Sequence, residues 1–482
     1  MTLVQNSANH QQNVQTNPAD WSSLTPVLVE AGPKARAVYL AVRGLIESGQ
    51  APPGSKLPTT RDIARRLGFS RASAVEAYET LVAEGFAEAR VGAGTFVAAQ
   101  VPLAVGGADA EPASAVNFAP PPGALGVANP DARTMRIFRL LLSRRLARPD
   151  PGLFHYGDPR GGLALREAIA AYLRGARGVR CGADDVIVTA GSLQGLDLVL
   201  RATVKPGDPV WIEDPCYPTA RAALESVGAQ LVGAPVDEEG LNPELAAALC
   251  PSARAVYVTP SHQFPLGVTM SMRRRLALLA WARREGAWII EDDYDSEFRY
   301  AGQPLAALQG MDISGGAESR VAYLGTFAKI LFPGLRLGYA VLPPSLMRRV
   351  LSLRAHAERQ PSSLIEGAMT DLLTEGHFAA HIRRARRRAQ AGRDALLEGL
   401  SAGESRLSAQ PPSQGLHLVA GLPQESDDVA LAASARVSGV SARALSPMYL
   451  SAAPRRGLVL GFSGFPEETL RAAGRVIGSL AR

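Results

Sequence analysis

Hydrophobic positions recur at three- and four-residue intervals in KARAVYLAVRGLIE (34–47), which puts Val38, Val42, Leu45 and Ile46 on one face of a predicted helix. The segment SGQAPPGSKLP ends that pattern. A second helix is expected from Thr59, whose hydroxyl suits an N-cap, with Asp62 in the acidic first turn. Ile63, Ala64 and Leu67 form its inner face and Gly68 its stop. Ser70 suits the cap of a third helix, RASAVEAYETLVAEG, with Val75, Tyr78, Leu81 and Val82 as its buried side. After Gly85, FAEARVGAGTFVAA reads as two short strands around a glycine turn, a wing.

From about residue 125 the pattern changes. Apolar runs of strand length alternate with helical stretches. The strands are VIVTA (186–190), PVWIED (209–214), AVYVTP (255–260), AWIIED (287–292), VAYLGTF (321–327) and LGYAVLP (337–343). Helices such as GGLALREAIAAYLRGA (161–176) and RRRLALLAWARREG (273–286) lie between or before them. That alternation predicts a mostly parallel sheet covered on both faces. From about 345 a long helix precedes a smaller α/β unit. The expected organisation is multidomain. It comprises a disordered tail (1–33), a mostly α module with a β wing (34–99), an Ala/Gly/Pro-rich linker (100–116) and an α/β domain (117–482) with a smaller C-terminal α/β subdomain.

Composition narrows this picture only a little. A chain of 482 residues exceeds one ordinary core, which agrees with several domains. The 46% hydrophobic and 20% charged content is that of a soluble globular protein, and no apolar run is long enough to predict a membrane span. No basic-then-apolar leader opens the chain. Cys181, Cys216 and Cys250 are sparse and scattered, which argues against a disulfide framework and a zinc site. No metal is expected, and the reducing cytoplasm is the expected compartment. The net charge of +6 is compatible with nucleic acid without establishing it.

The placement of charge says more than its sum. Between Lys56 and Arg71, the five bases Lys56, Arg61, Arg65, Arg66 and Arg71 stand against one acid, Asp62. Two short helices joined by a glycine-containing turn form a helix-turn-helix, whose second helix enters the major groove by its N-terminal end. Arg71, one residue into that helix, can reach a guanine edge or a phosphate. The segment GSKLPTTRDIARRLGFSRASAVEAYETLVAEGFAEARVGAGTFV resembles the winged head of the GntR family over about 65 residues. The resemblance implies binding of double-stranded operator DNA through Arg61, Ser70, Arg71, Ser73 and the wing glycine Gly92. Val75 stands where some relatives carry a second arginine, which implies a different base preference.

The larger domain carries candidates for each part of a pyridoxal phosphate site. Lys329, in GTFAKILFPGLRLG just after a strand, is the candidate amine, and burial would favour its neutral, nucleophilic form. Asp292 ends a strand and can pair with a pyridinium nitrogen, although Glu291, Asp293 and Asp295 beside it could be confused with it or be merely solvated. Gly191, Ser192, Leu193 and Gln194 open a helix and offer N–H groups to a phosphate, with Thr326 and Arg336 flanking Lys329. Tyr217 is a candidate ring-stacking aromatic. The motifs HYGDPRGGLALREAI, TAGSLQGLDL, EDPCYP, TPSHQFPLG, IIEDDYDSEF and GTFAKILFPGLRLGY together resemble fold-type I aminotransferases. More closely they resemble the MocR/GabR class of regulators that carry such a domain behind a GntR-type head. The resemblance implies that Lys329 forms the Schiff base, that Asp292 partners the pyridinium and that Tyr294 contacts the ring oxygen. It assigns the phosphate to Ser192, Leu193, Thr326 and Arg336. It also implies a head-to-tail, domain-swapped homodimer in which Tyr156 reaches the partner subunit's phosphate.

Several positions depart from the aminotransferase pattern. Phe264 replaces an asparagine that faces the ring oxygen, and Ala328 precedes the lysine where serine is common. Val459 replaces the late-strand arginine that holds a substrate carboxylate, leaving Arg455 and Arg456 as nearby substitutes; Thr219 replaces a second arginine used by amino-acid-sensing relatives. Cofactor capture thus looks intact and amino-acid capture altered. The run HIRRARRRAQAGR (381–393) holds six arginines, read either as a solvated helix face or as a secondary DNA track. The expected function is a transcriptional regulator sensing pyridoxal phosphate or an amine effector, with at most partial transamination half-reactions. A working aminotransferase with a DNA-binding appendage, and a DNA-binding protein on an inert dimerisation scaffold, are the alternatives.

Overall fold

The computed structural model describes residues 34–101, 119–128, 130–303, 305–314, 318–403 and 405–482. The tail expected over 1–33 and nearly all of the expected linker lie outside the described residues. The chain forms two compact units that divide between Phe118 and Ala119.

In the first unit, α1 (Lys34–Glu47) buries Val38, Val42, Leu45 and Ile46, as its periodicity predicts. Helix α2 (Thr60–Leu67) is capped by Thr59, whose hydroxyl accepts the Asp62 N–H, and stops at Gly68 with φ +71°. Helix α3 (Arg71–Ala83) starts from Ser70, which accepts the Ser73 N–H. Its buried face is Ala74, Ala77, Tyr78 and Leu81 rather than the expected Val75 and Val82, which are half-buried and exposed. Alanine lets α1 and α3 approach closely, so the small residues sit inside; Leu67 of α2 is likewise only half-buried. Strands β1 (Ala87–Arg90) and β2 (Gly94–Val97) pair antiparallel as the wing.

The second unit is built on a sheet of eight strands. These are β3 (Val186–Thr189), β4 (Pro209–Asp214), β5 (Gln230–Asp237), β6 (Gly240–Leu241), β7 (Ala255–Val258), β8 (Trp288–Asp293), β9 (Val321–Thr326) and β10 (Gly338–Val341), in the order β3-β10-β9-β8-β7-β4-β5-β6. The six expected strands are all present; β5 and β6 add to them. Neighbours from β9 through β5 run parallel, while β10 is antiparallel to both β3 and β9. Helices before and between the strands are α4 (Ala132–Ala147), α5 (Leu163–Arg177), α6 (Ser192–Thr203), α7 (Pro218–Ser226), α8 (Pro243–Leu249), α9 (Met272–Glu285) and the single turn α10 (Leu308–Met311). Apolar clusters line the sheet, one around Leu196, Ile212 and Tyr257, another around Trp211, Val256 and Leu278.

The single long helix expected after residue 345 is three helices, α11 (Pro344–Ala355), α12 (Ser363–Thr374) and α13 (His377–Ser401). A smaller sheet follows, made of β11 (Ser408–Ala409), β12 (His417–Gly421), β13 (Arg443–Ala444) and β14 (Gly457–Gly461) in the order β11-β12-β14-β13, with helices α14 (Asp428–Val437) and α15 (Glu467–Leu480). Asp214, at the end of β4, ties this subdomain to the large sheet by accepting the backbone N–H groups of Leu450, Ser451 and Ala452 at 2.8 Å. No helix among the described residues is long and apolar enough to cross a membrane.

Candidate functional site

Parallel strands place the residues that follow them along one edge of a sheet, where ligands of such folds collect. Ser192 follows β3, Tyr217 follows β4, Asp292 lies at the end of β8, and Thr326 and Lys329 close β9. Because β10 runs the other way, its start lies at this same edge and brings Arg336 to it. The outcome is a cavity of about 240 Å³ bordered by Ser192, Leu193, Tyr217, Asp292, Tyr294, Thr326, Lys329 and Arg336. Tyr156 does not border it. That side chain is 79% exposed, with the Arg359 guanidinium 4.5 Å from its ring centre.

At one end of the cavity, α6 begins at Gly191 without a side-chain cap, so its first N–H groups have no intrahelical partner. Gly191 takes φ +110°, and a Cβ on Gly338 would lie 2.8 Å from its backbone. This close glycine contact sets Arg336 beside the helix start. Arg336 itself holds left-handed backbone at φ 50° and pairs with no carboxylate among the described residues. The Thr326 hydroxyl accepts the Ala328 N–H at 3.1 Å. The donors and charge that a phosphate requires are thus gathered at one place.

The acidic run that ends β8 and continues to Asp295 is not solvated. Glu291 is fully buried and accepts the N–H groups of Leu308 and Gln309 at 2.8 and 2.9 Å. Asp293 pairs with the Arg177 guanidinium at 2.7 Å and takes the Tyr323 hydroxyl at 2.6 Å. Asp295 pairs with His262 Nδ1 at 3.0 Å. Asp292 and Asp293 each keep one buried oxygen without a partner, and of these two Asp292 borders the cavity. Its Oδ2 accepts the Tyr257 hydroxyl at 2.7 Å, while Oδ1 is buried without a hydrogen-bond partner. Burial pushes this carboxyl up to about 6, against the Tyr257 hydrogen bond. Leaving a carboxylate oxygen buried and unpaired costs stability. Asp292 Oδ1 suits a cationic N–H, and a protonated pyridine nitrogen provides one.

Lys329 is half-buried, and burial lowers its amine from the usual lysine range, against the pull of Asp295 and Asp292. The segment before α4 closes over it; a Cβ on Gly126 would collide with Nζ. Tyr294 is half-buried and its hydroxyl meets His262 Nδ1 at 3.1 Å. The Phe264 ring packs edge-on to Tyr217, 5.2 Å between centres. The donor set therefore fits pyridoxal phosphate: an amine, an unpaired buried carboxylate oxygen, an anion cradle and an aromatic ring around one cavity.

Sequence reasoning missed several residues here. Glu213, near the end of β4, is buried, accepts the Thr259 hydroxyl at 2.6 Å, and is pushed by burial up to about 8. His262, Asp295 and His417 form a buried group whose polar atoms lie within 4.8 Å of one another. His417 Nε2 is already engaged with the Pro265 carbonyl at 3.0 Å, and a Cβ on Gly415 would collide with the His262 ring. Arg443 borders the cavity, whereas Arg455 and Arg456, the substitutes the sequence offered, do not; Arg456 faces Asp428 at 3.5 Å. No local motif marks Arg443, because its position depends on strand pairing.

In the head, Arg61 and Arg71 are exposed at the first turns of α2 and α3. Ser70 and Ser73 share a hydroxyl contact of 2.9 Å at the start of α3, and Gly92 turns the wing at φ +74°. In the arginine run on α13, Arg384 pairs with Asp131 at 2.6 Å, and Arg386 and Arg393 donate to the Glu297 and Pro412 carbonyls. Those three side chains pin the helix to the body, and Arg383 and Arg387 are exposed.

Residues 34–97 match the family described as bacterial regulatory proteins, gntR family, and residues 131–473 match aminotransferase class I and II. The chain is 38% identical over 462 residues to the probable rhizopine catabolism regulatory protein MocR of Rhizobium meliloti, covering 91% of this chain and 92% of that one. It is 32% identical over 433 residues to the HTH-type pyridoxine biosynthesis transcriptional regulator PdxR of Corynebacterium glutamicum, covering 89% and 92%. Among solved structures it resembles the Pyrococcus horikoshii kynurenine aminotransferase in complex with PMP, with a TM-score of 0.67 and 28% identity over 74% of this chain and 90% of that one.

Proposed function

This chain belongs to the MocR-type regulators, which join a GntR-type helix-turn-helix head to an aminotransferase class I and II body, and on that premise we propose how its two sites divide the work. It is a transcriptional regulator, and its cofactor is pyridoxal 5'-phosphate. The head binds operator DNA. Arg61, Ser70, Arg71 and Ser73 meet the duplex, with Gly92 at the tip of the wing. The body senses the cofactor, or an amine that exchanges onto it, and acts in the cytoplasm.

The observation that carries this reading is Asp292 Oδ1, buried and unpaired on the same cavity as Lys329. When bound, the cofactor supplies an aldehyde that condenses with amines. Lys329 attaches it. Asp292 holds the proton at the pyridine nitrogen, Tyr294 faces the ring oxygen, Tyr217 covers the ring, and Ser192, Leu193, Thr326 and Arg336 fix the phosphate. The body dimerises, and we place Tyr156 at the partner subunit's phosphate in a head-to-tail, domain-swapped pair. Exposure of Phe154 at 71% beside Tyr156 supports an interface there. An effector must favour one state of that dimer, since equal binding to both shifts nothing. Turnover as an aminotransferase is disfavoured by the apolar side chains of Phe264, where an asparagine usually faces the ring oxygen, and of Val459, where an arginine usually holds the substrate carboxylate.

The test is cofactor uptake followed by DNA binding. Purified protein is expected to take up pyridoxal phosphate with a visible absorbance band, and Lys329→Ala to lose it. Its protection of the DNA upstream of its own gene is expected to change with cofactor or amine. Colourless protein under all conditions, or protection indifferent to cofactor and amines, overturns the sensing role.

A further inference from the structure

The cavity has one cation that none of the roles above uses. Arg443 borders it from β13, in the smaller sheet, and makes no ion pair among the described residues. Directly across the strand pair stands Val459 of β14. Residues opposite each other in an antiparallel pair project from the same face, with their Cβ atoms about 5 Å apart. Arg443 and Val459 thus share one face of the smaller sheet, and Arg443 of the two borders the cavity that Lys329 lines.

The surroundings of Val459 are apolar. Phe264, Leu445, Met448 and Val459 form a small buried cluster, joined by half-buried Leu125, Tyr217 and Tyr449. No carboxylate can settle in that cluster without losing its water unrepaid. The rim formed by Arg443 is different. It is exposed, and its fork of donors suits a carboxylate in two-point contact.

Resting on the amine-sensing reading, we propose that the effector is a primary amine bearing a carboxylate, that Arg443 holds this carboxylate, and that the effector's apolar part lies against the Phe264–Val459 cluster. The anchor is displaced by one strand from β14 to β13. The amine is thereby aimed at the Lys329 side of the cavity while its acid end stays at the mouth.

The experiment uses full-length protein loaded with pyridoxal phosphate, the visible band reporting loading in each variant. Matched pairs of probes differ only in the carboxylate: L-leucine against 3-methylbutylamine, L-phenylalanine against 2-phenylethylamine, and β-alanine against ethylamine. The change in the visible spectrum gives an apparent affinity for each. For at least one pair, wild type is expected to prefer the acid by about tenfold or more, as a charge-assisted contact requires. Arg443→Gln is expected to abolish that preference, and Arg443→Lys to keep part of it. Preference that survives in Arg443→Gln, or wild type that ignores the carboxylate in every pair, overturns the assignment and leaves amine sensing intact. Wild type whose spectrum answers no amine overturns both together.

Discussion

Tyr257 donates its hydroxyl hydrogen to Oδ2 of Asp292 at 2.7 Å, from the strand alongside, and this bond is what opposes the upward push of burial on that carboxyl. Asp292 can attract a pyridinium only as the anion. Tyr257→Phe removes the opposing bond, so the carboxyl titrates at higher pH than the value of about 6 it holds with the tyrosine present. Cofactor affinity measured by absorbance titration between pH 5.5 and 8.5 is expected to begin falling at a higher pH in the variant as the solution is acidified. Superimposable acid limbs would break the link between the two residues.

Asp292→Asn separates stability from capture. A carboxyl raised by burial costs the apo fold stability above its pKa, because the unfolded chain ionises freely there. The amide carries no charge to desolvate. At pH 8 the apo variant is expected to melt at or above the wild-type temperature, while its affinity for pyridoxal phosphate falls by about tenfold or more. Calorimetry without cofactor and titration with it read the two effects independently.

Glu213 carries a stability signature of its own. Burial lifts it from 4.5 to about 8. Between those values the unfolded chain has lost the proton and the folded one keeps it, so stability falls as pH rises and levels off above about 8. Glu213→Gln lacks this loss. The wild-type melting temperature, relative to the variant's, is expected to decline steadily from pH 4.5 to 8 and then run parallel to it. A constant offset across that range would mean that Glu213 is ionised in the fold.

In the head, Arg61→Ala and Arg71→Ala each remove an exposed cation. The fold should change by no more than about 0.5 kcal/mol. Each is expected to weaken operator binding, and a cation that meets phosphate lowers the salt slope of log K by about one. Fluorescence anisotropy at several salt concentrations distinguishes a phosphate contact from a base contact, which also relaxes sequence preference. Unaltered affinity in both variants would move the interface elsewhere on the head.

Features fixed by neighbours in sequence were legible before the structure. Thr59, Gly68 and Ser70 cap and stop helices through groups three or four residues away. Lys329 and Asp292 stand at strand ends that hydrophobicity alone predicts. Features fixed by distant chain were not legible. Strand β5 was hidden by Gly233 and Pro235, and the glycine is there because a Cβ would lie 2.7 Å from an Asp214 oxygen. The inner face of α3 was misassigned to valines because only the approach of α1 tells which small residues are enclosed. The acids beside Asp292 looked like a solvated cluster until Arg177, Tyr323 and His262, all remote in sequence, supplied their partners.

The antiparallel turn of β10 has a consequence for how recognition can change. Apart from Tyr156, every group that we assign to gripping the vitamin follows a strand of the eight-stranded sheet, with Thr326, Lys329 and Arg336 all at the β9–β10 pair, whereas Val459 and Arg443 ride on the four-stranded one. Selectivity can therefore be rewritten on a separate plank of the molecule. A designer could exchange side chains on β13 and β14 to retune the signal while the grip on the vitamin stays as it was.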